Sequence, residues 1–402
     1  MMGNRRAEGE IVTDTKDLDL VVFGATGFTG RRAVRHLAEH APATLRWAVA
    51  GRDRVSLDRL GVGVPVLVAD ATDPTSVAAV VARTRVVLNM AGPFRRFGDP
   101  IVAACTANSA HYCDISGETA RIRDLVDRQQ DAARRAGVKV VCFGGASSAP
   151  ADLAVLLLEQ ELDGALHDAT AVVRLRSGLF NGGTIASMRD AVESGDAQRE
   201  RDPFLLGPRD RRPTPRERDP VGVRWDSAQR AWLTRSPLGI SDTRAIRLSS
   251  SLRGTDVEVQ EYLAFDGATG ALPALLFRAA FGAVTVALRT RLGTALLTRI
   301  APPGHGPSER QVTTGTYRLD VTGTGVNGRR SRVTMGFDGD PGNYVTALCA
   351  AEIALALSVG GSSLPDRAGI LTPSTAIGAG LADRLVHAGM RLTPGRGRTD
   401  VD

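Results

Sequence analysis

Lysine is nearly missing from this chain: only Lys16 and Lys139 occur, although lysine and arginine together number 50. Schiff-base or lysine acid–base chemistry is therefore confined to one residue near the amino terminus and one inside an apolar run, neither well placed for it. Cysteine is also scarce. Cys105, Cys113, Cys142 and Cys349 show no C-x-x-C spacing, which argues against a thiolate metal centre and for reduced, buried thiols. His36, His40, His167, His305 and His387 form no cluster, and Cys105, His111 and Cys113 lack a zinc spacing, so no metal is expected. Aromatic residues make up 4% of the chain and its arginines are interleaved with acids. That excludes the continuous basic and aromatic stripe of a nucleic-acid partner. The arginine concentration between Arg199 and Arg218 reads as a solvated loop, with an acidic ligand or an anionic membrane surface as the alternative. The start of the chain has no apolar run to serve as a signal peptide, so a cytoplasmic location is expected.

What is present is the composition of a folded protein, 43% hydrophobic and 23% charged over 402 residues, too long for one core. Residues 1–17 read as a flexible tail. Between 18 and 150, short apolar runs at 19–24, 45–50, 64–69, 85–90, 111–114 and 138–143 alternate with helical periodicity at 29–40, 76–82, 100–108 and 119–136. This is the pattern of βαβ units around a parallel, Rossmann-type sheet.

Residues 151–340 read as a second, α+β unit for substrate binding or dimerisation. Helices are expected at 151–162 and 184–193, and strands at 170–176, 243–252, 256–265, 316–322 and 332–337, in a mixed or antiparallel sheet. The proline- and arginine-rich stretch 197–220 reads as a mobile flap. Residues 271–288 are apolar except Arg278 and are followed by Arg289, Arg291 and Arg299. The run is interrupted short of the ~20 residues that cross a bilayer. It reads as a core or amphipathic helical hairpin, and 271–301 could serve a lipid, a long acyl chain or a partner. Residues 341–402 carry helical stretches at 343–358 and 372–387, expected to pack back on the first unit. A second copy of the chain is a candidate partner.

The first apolar run ends in Gly24-Ala25-Thr26-Gly27-Phe28-Thr29-Gly30, directly before a helical stretch. Gly24 permits a tight turn, Gly27 lets the backbone approach a pyrophosphate, and Gly30 lets helix and sheet pack closely. The helix terminus then offers N–H groups to phosphate. The second run stops at Gly51-Arg52-Asp53, where an NAD enzyme places an acid against the ribose hydroxyl. Arg52 instead suits a 2′-phosphate, so NADP(H) is the expected cofactor. Asp70 is positioned to contact the adenine, and Asn89, Gly92 and Pro93 leave room beside a nicotinamide.

None of the four tyrosines begins a Tyr-x-x-x-Lys unit, which excludes ordinary short-chain dehydrogenase catalysis. Tyr112, Asp114, Ser116 and Glu118, after the fifth strand, could donate a proton at the nicotinamide face. Asp114 and Glu118 could equally cap the next helix, and Asp152 is either a cap or a ligand contact.

Beyond the glycine motif, the segments Ala50-Gly51-Arg52, Asp114-Ile115-Ser116-Gly117-Glu118, Gly182-Gly183-Thr184-Ile185-Ala186-Ser187, Gly339-Asp340-Pro341-Gly342 and Gly369-Ile370-Leu371-Thr372-Pro373 occur in order. With them the chain resembles the saccharopine dehydrogenase-like NADP-binding superfamily, and within it the actinobacterial trans-acting enoyl reductases. The resemblance implies NADPH-dependent reduction of an acyl or polyketide enoyl thioester, on a carrier, in lipid biosynthesis, for a synthase lacking its own reductase domain. Two other functions stay open: a saccharopine-type C–N oxidoreductase, and a non-catalytic protein binding nucleotide and lipid at the inner face of the plasma membrane. One segment departs from the family: Ala146, in Phe143-Gly144-Gly145-Ala146-Ser147-Ser148, stands where the family carries an aspartate, and one residue is added.

Overall fold

The computed structural model of the chain describes residues 16–176, 182–208, 212–300, 302 and 306–394. Most of the tail expected over 1–17, and His305, lie outside the described residues. Apolar runs that can be covered on both faces become the first six strands: β1 (Leu18–Phe23), β2 (Trp47–Gly51), β3 (Val66–Val68), β4 (Thr84–Asn89), β5 (His111–Asp114) and β6 (Lys139–Val141). Further along come β7 (Leu166–Arg176), β8 (Val223–Asp226), β9 (Ala231–Arg235), β10 (Glu258–Asp266), β11 (Thr316–Gly325) and β12 (Arg330–Asp338), then two short strands, β13 (Gly369–Leu371) and β14 (Arg391–Pro394).

The first sheet runs β3-β2-β1-β4-β5-β6-β13, and every pairing in it is parallel. All six residues of β1 are buried, and its register places Phe23 beside Ala50 and Asn89. The chain departs in opposite directions on the two sides of β1, so a crevice opens at the carboxyl ends of β1 and β4, where such sheets bind ligands. The second sheet runs β8-β9-β10-β7-β11-β12-β14 and is mixed: β7 and β10 are parallel, the other pairs antiparallel.

Four expectations need correction. Residues 243–252, read as a strand, belong to the helix Gly239–Arg253. Their mixture of arginine with apolar residues mimics a strand, yet Arg244 and Arg247 are buried, and Arg247 donates to the carbonyls of Pro203 and Val259. Residues 341–402 are more than helices, since β13 completes the first sheet and β14 edges the second. The stretch 197–220 is anchored where it is described: Phe204, Leu206 and Glu217 are buried, and short helical turns form at Asp196–Arg199 and Pro215–Glu217.

The helix Ala271–Ala287, followed by Arg291–Ile300, lies on the surface and not in the core, with Leu272, Leu276, Leu292 and Leu296 exposed. The stretch Ala268–Ala287 is long and apolar enough to cross a membrane by composition, and only 11% of its most apolar window is buried. The helix Thr346–Val359 is apolar but for Thr346, Glu352 and Ser358 and correspondingly enclosed, packing on the helix Gly30–His40 and on β1, β4 and β5.

Candidate functional site

At the end of β1 the chain turns through Gly24 with φ +71°, and a Cβ there would stand 2.6 Å from the Ala91 nitrogen. A Cβ on Gly30 would stand 2.1 Å from the Gly24 carbonyl oxygen. Both glycines are therefore required by the close approach of turn, helix and β4. At Gly27 the only neighbour a Cβ would meet is the Gly24 oxygen, at 3.2 Å, which leaves the outer side of the turn open. No side chain caps the helix Gly30–His40; Arg31 and Arg32 donate their N–H groups to the carbonyls of Gly27 and Thr29, which leaves the Gly30 N–H and the partial positive charge of the terminus for an anion. Ala25 is buried beneath the turn. Phe28 carries the Arg32 guanidinium 4.1 Å above its ring, and Arg32 Nη1 donates to the Phe28 carbonyl at 2.7 Å. Thr29 reaches Asn343 at 3.4 Å, which explains the Gly339–Gly342 motif: Asp340 accepts from Asn343 Nδ2 at 2.7 Å and holds the carboxy-terminal helix against the glycine turn. This cradle of backbone and glycine, with Thr26 at its tip, fits a dinucleotide pyrophosphate.

Arg52 is exposed beyond β2. Asp53 turns away from a cofactor role: it caps the helix Arg54–Asp58, accepting from Val55 N at 3.0 Å and from the Ser56 hydroxyl at 2.6 Å. Asp70 accepts from the Thr72 backbone and hydroxyl, which lower its pKa, and the charges of Arg52 and Arg96 lower it further. Arg96, unnoticed in the sequence, thus joins Arg52 near Asp70; its only local signal was its place after Pro93.

The ends of β4 and β5 hold a closed network. The Tyr112 hydroxyl donates to Asp114 Oδ2 at 2.8 Å and accepts from Asn89 Nδ2 at 3.1 Å, while Asn89 Oδ1 accepts from Ala91 N at 3.0 Å. Ser116 donates to Asp114 Oδ1 from its hydroxyl at 2.7 Å and from its backbone at 3.0 Å. Arg121, 1% exposed, closes the network with Nη1 3.0 Å from Asp114 Oδ2 and Nε 2.6 Å from Asp99 Oδ1. Burial and the Asp114 charge push the Tyr112 hydroxyl well above its usual pKa. Gly92 and Pro93 form the loop that follows, and Pro93 begins the short helix Phe94–Phe97.

Glu118 sits apart from that network. Its carboxylate accepts from the N–H groups of Phe94 and Arg95 at 3.0 and 3.1 Å, capping Phe94–Phe97 and not the helix that follows it in sequence. It also accepts from Ser187 at 2.8 Å. Ser187 lies on the helix Gly182–Glu193, so the Gly182–Ser187 motif contributes a hydroxyl from the far side of the crevice. Burial raises the Glu118 pKa. Beside it, burial pushes Glu200 up to about 7, and the charges of Asp196 and Glu118 add to the shift. Asp152 does not reach this region: it is buried and accepts from Ser374 N at 2.8 Å, tying two helices together.

A parallel sheet in this strand order, carrying a glycine cradle and an arginine beyond β2, defines a nicotinamide-dinucleotide oxidoreductase of the Rossmann type. A family model described as the saccharopine dehydrogenase NADP-binding domain matches residues 20–141, and the cofactor is NADP(H). The chain is 34% identical to a Mycobacterium tuberculosis protein provisionally named a trans-acting enoyl reductase, over 94% of this chain and 97% of that one. It is 31% identical to a trans-acting enoyl reductase of the same species, over 93% and 97% of the two chains. Among solved structures, saccharopine dehydrogenase of Saccharomyces cerevisiae aligns over 93% of this chain and 99% of its own, with TM-score 0.52 and 13% identity, a likeness of fold. The chain belongs to the trans-acting enoyl reductase family.

Proposed function

We propose that this protein reduces the carbon–carbon double bond of an acyl or polyketide enoyl thioester presented on a carrier. The observation that carries the reading is the crevice itself, with the glycine turn on one wall and Ser187 of the second unit reaching Glu118 on the other. Residues Gly24 to Gly30 hold the pyrophosphate, Arg52 the 2′-phosphate and Asp70 the adenine, with Asn89, Gly92 and Pro93 bordering the nicotinamide. NADPH, when bound, supplies a hydride to the β-carbon. The protein's own part is to orient the thioester, exclude water and protonate the α-carbon. Tyr112 and Asp114, enclosed and mutually bonded, hold the strand ends in place. Glu118, half-buried at the mouth, faces the substrate.

The exposed helices Ala271–Ala287 and Arg291–Ile300 are the place for the acyl chain and for peripheral contact with an anionic membrane at its cytoplasmic face. They present Leu272, Leu276, Leu292, Leu296 and Ile300 together with Arg278, Arg289, Arg291 and Arg299, and no acidic residue. The same surface could instead join two copies of the chain, and sedimentation against vesicle flotation separates these outcomes. The main test follows NADPH oxidation with enoyl thioesters and, separately, with an oxo acid plus an amine. Turnover with the thioesters is expected; turnover only with the amine pair would overturn the reading.

A further inference from the structure

Asp242, on the helix Gly239–Arg253, and Glu261, on β10, are both buried, at 0% and 1% exposure. Asp242 Oδ1 accepts from Ser147 and Ser148 at 3.1 Å each and from Ser241 at 3.2 Å. Asp242 Oδ2 and both Glu261 oxygens have no N–H or O–H donor in hydrogen-bonding geometry among the described residues. Gly239 packs on Glu261, a Cβ there standing 3.4 Å from the Glu261 Cβ, and Asp242 lies three residues further along the same helix face. Burial raises the pKa of both acids and the Asp242 charge raises that of Glu261 further, as in a pair that shares one proton. The groups acting most strongly on the pair are the serines already named, Ser236, Asp219 and the buried, unpartnered hydroxyl of Tyr317 with Cys349 behind it. None is a cation. The neighbouring arginines, Arg235 and Arg244, are paired with Asp219, so the two buried carboxylates, with no cation of their own, hold one proton between them at rest.

Ser147 gives the pair an outlet. Ser147 is only partly buried, its hydroxyl is hydrogen-bonded to that of Ser241, and it follows β6 at the carboxyl edge of the first sheet. A Cβ on Gly117 would stand 3.1 Å from the Ser241 Cβ, and the next residue is Glu118, on the crevice. The serine thus occupies the segment in which Ala146 replaces the family's aspartate.

We infer that Asp242 and Glu261 share one stored proton and that Ser147 passes it into the crevice, to the α-carbon of the reduced substrate. The destination rests on the function proposed above; the store and its outlet do not. The hydride brings two electrons to the β-carbon, and the enolate's electron pair then forms the α-carbon–hydrogen bond as the Ser147 O–H breaks. Ser147 takes the shared proton in the same event, and a proton from bulk solvent restores the pair at once, so the two carboxylates are both charged only transiently.

Infrared difference spectra of the full chain in water and D2O test the store without substrate. A protonated-carboxyl C=O band is expected at neutral pH in wild type, shifted in D2O and lost in Glu261→Gln; its absence from wild type overturns the proposal. The rate at which that band shifts after transfer into D2O reads the outlet. It should slow several-fold in Ser147→Ala and recover in Ser147→Thr, and equal rates in all three remove Ser147 from the path. With an enoyl thioester, Ser147→Ala should lower kcat by about a hundredfold, enlarge its solvent isotope effect and change KM little. An unaltered kcat and isotope effect would overturn delivery to substrate. If no enoyl thioester turns over while the infrared results hold, the substrate reading fails and the proton store stands.

Discussion

The two walls of the crevice handle buried charge differently. On the wall built from the first sheet, Asp114 is paired with Arg121, with Tyr112 and Ser116 filling its remaining lone pairs. On the wall built from the second unit, Asp242 and Glu261 have only hydroxyl groups and each other for partners. The difference shows what each wall can do. An arginine-held carboxylate is locked in one state and serves as a strut, whereas acids without a cation must take up and release protons. Glu200, raised to about 7 by burial, belongs with the second group.

The largest expected effect would break the first wall. Arg121→Met leaves the Asp114 charge unpaired in the interior and should lower stability by about 3 to 5 kcal/mol in urea unfolding. A loss below ~1 kcal/mol would mean that Asp114 needs no cation. Next, Arg52→Glu should weaken NADPH binding by about 1.5 to 3 kcal/mol in calorimetry while barely altering NADH; equal losses would remove the arginine's role in cofactor choice.

The second wall should answer to pH. The pKa of Glu261 is raised by burial and by Asp242, so the folded state keeps a proton that the unfolded chain sheds above about pH 4.3. Folding stability contributed by this group is therefore present at low pH and lost as pH rises toward the folded pKa. Glu261→Gln escapes that loss, and its stability relative to wild type should improve from about pH 5 to pH 8. A constant difference would place Glu261 with the fixed charges. The same sign holds for Glu200→Gln, with a smaller gain concentrated between the unfolded carboxyl range and about 7, measurable as a shift in Tm.

The sequence made the first wall far easier to read than the second. The strands β1 to β6 lie within a few residues of the apolar runs, because parallel strands covered on both faces leave uninterrupted hydrophobic stretches between glycine turns. The glycine cradle is legible because its geometry is local: three positions close on one another within seven residues. The second wall depends on tertiary partners that leave no periodic trace. The helix Gly239–Arg253 buries Arg244 against Asp219 and Arg247 against carbonyls of other segments, so its polar residues look like the outward face of a strand. Misreading it hid Asp242, whose partner Glu261 falls in phase with Val257 and Val259 on the buried face of its strand, where an acid gives no sign of its own. Arg121 passed as one charge among many on a long amphipathic helix. The three-residue β13 lies far along the chain from β6, and nothing nearby announces the pairing.

That late strand shapes how the molecule is made. Ile370 and Leu371 pair with Val140 and Val141 at the outer side of β6, so a ribosome that has finished the nucleotide-binding strands must still translate the whole second unit before their sheet is complete. Until then β6 presents an unpaired, apolar edge to neighbouring nascent chains. A recombinant fragment ending near residue 150 carries the same open edge, and should aggregate where the intact polypeptide stays monodisperse.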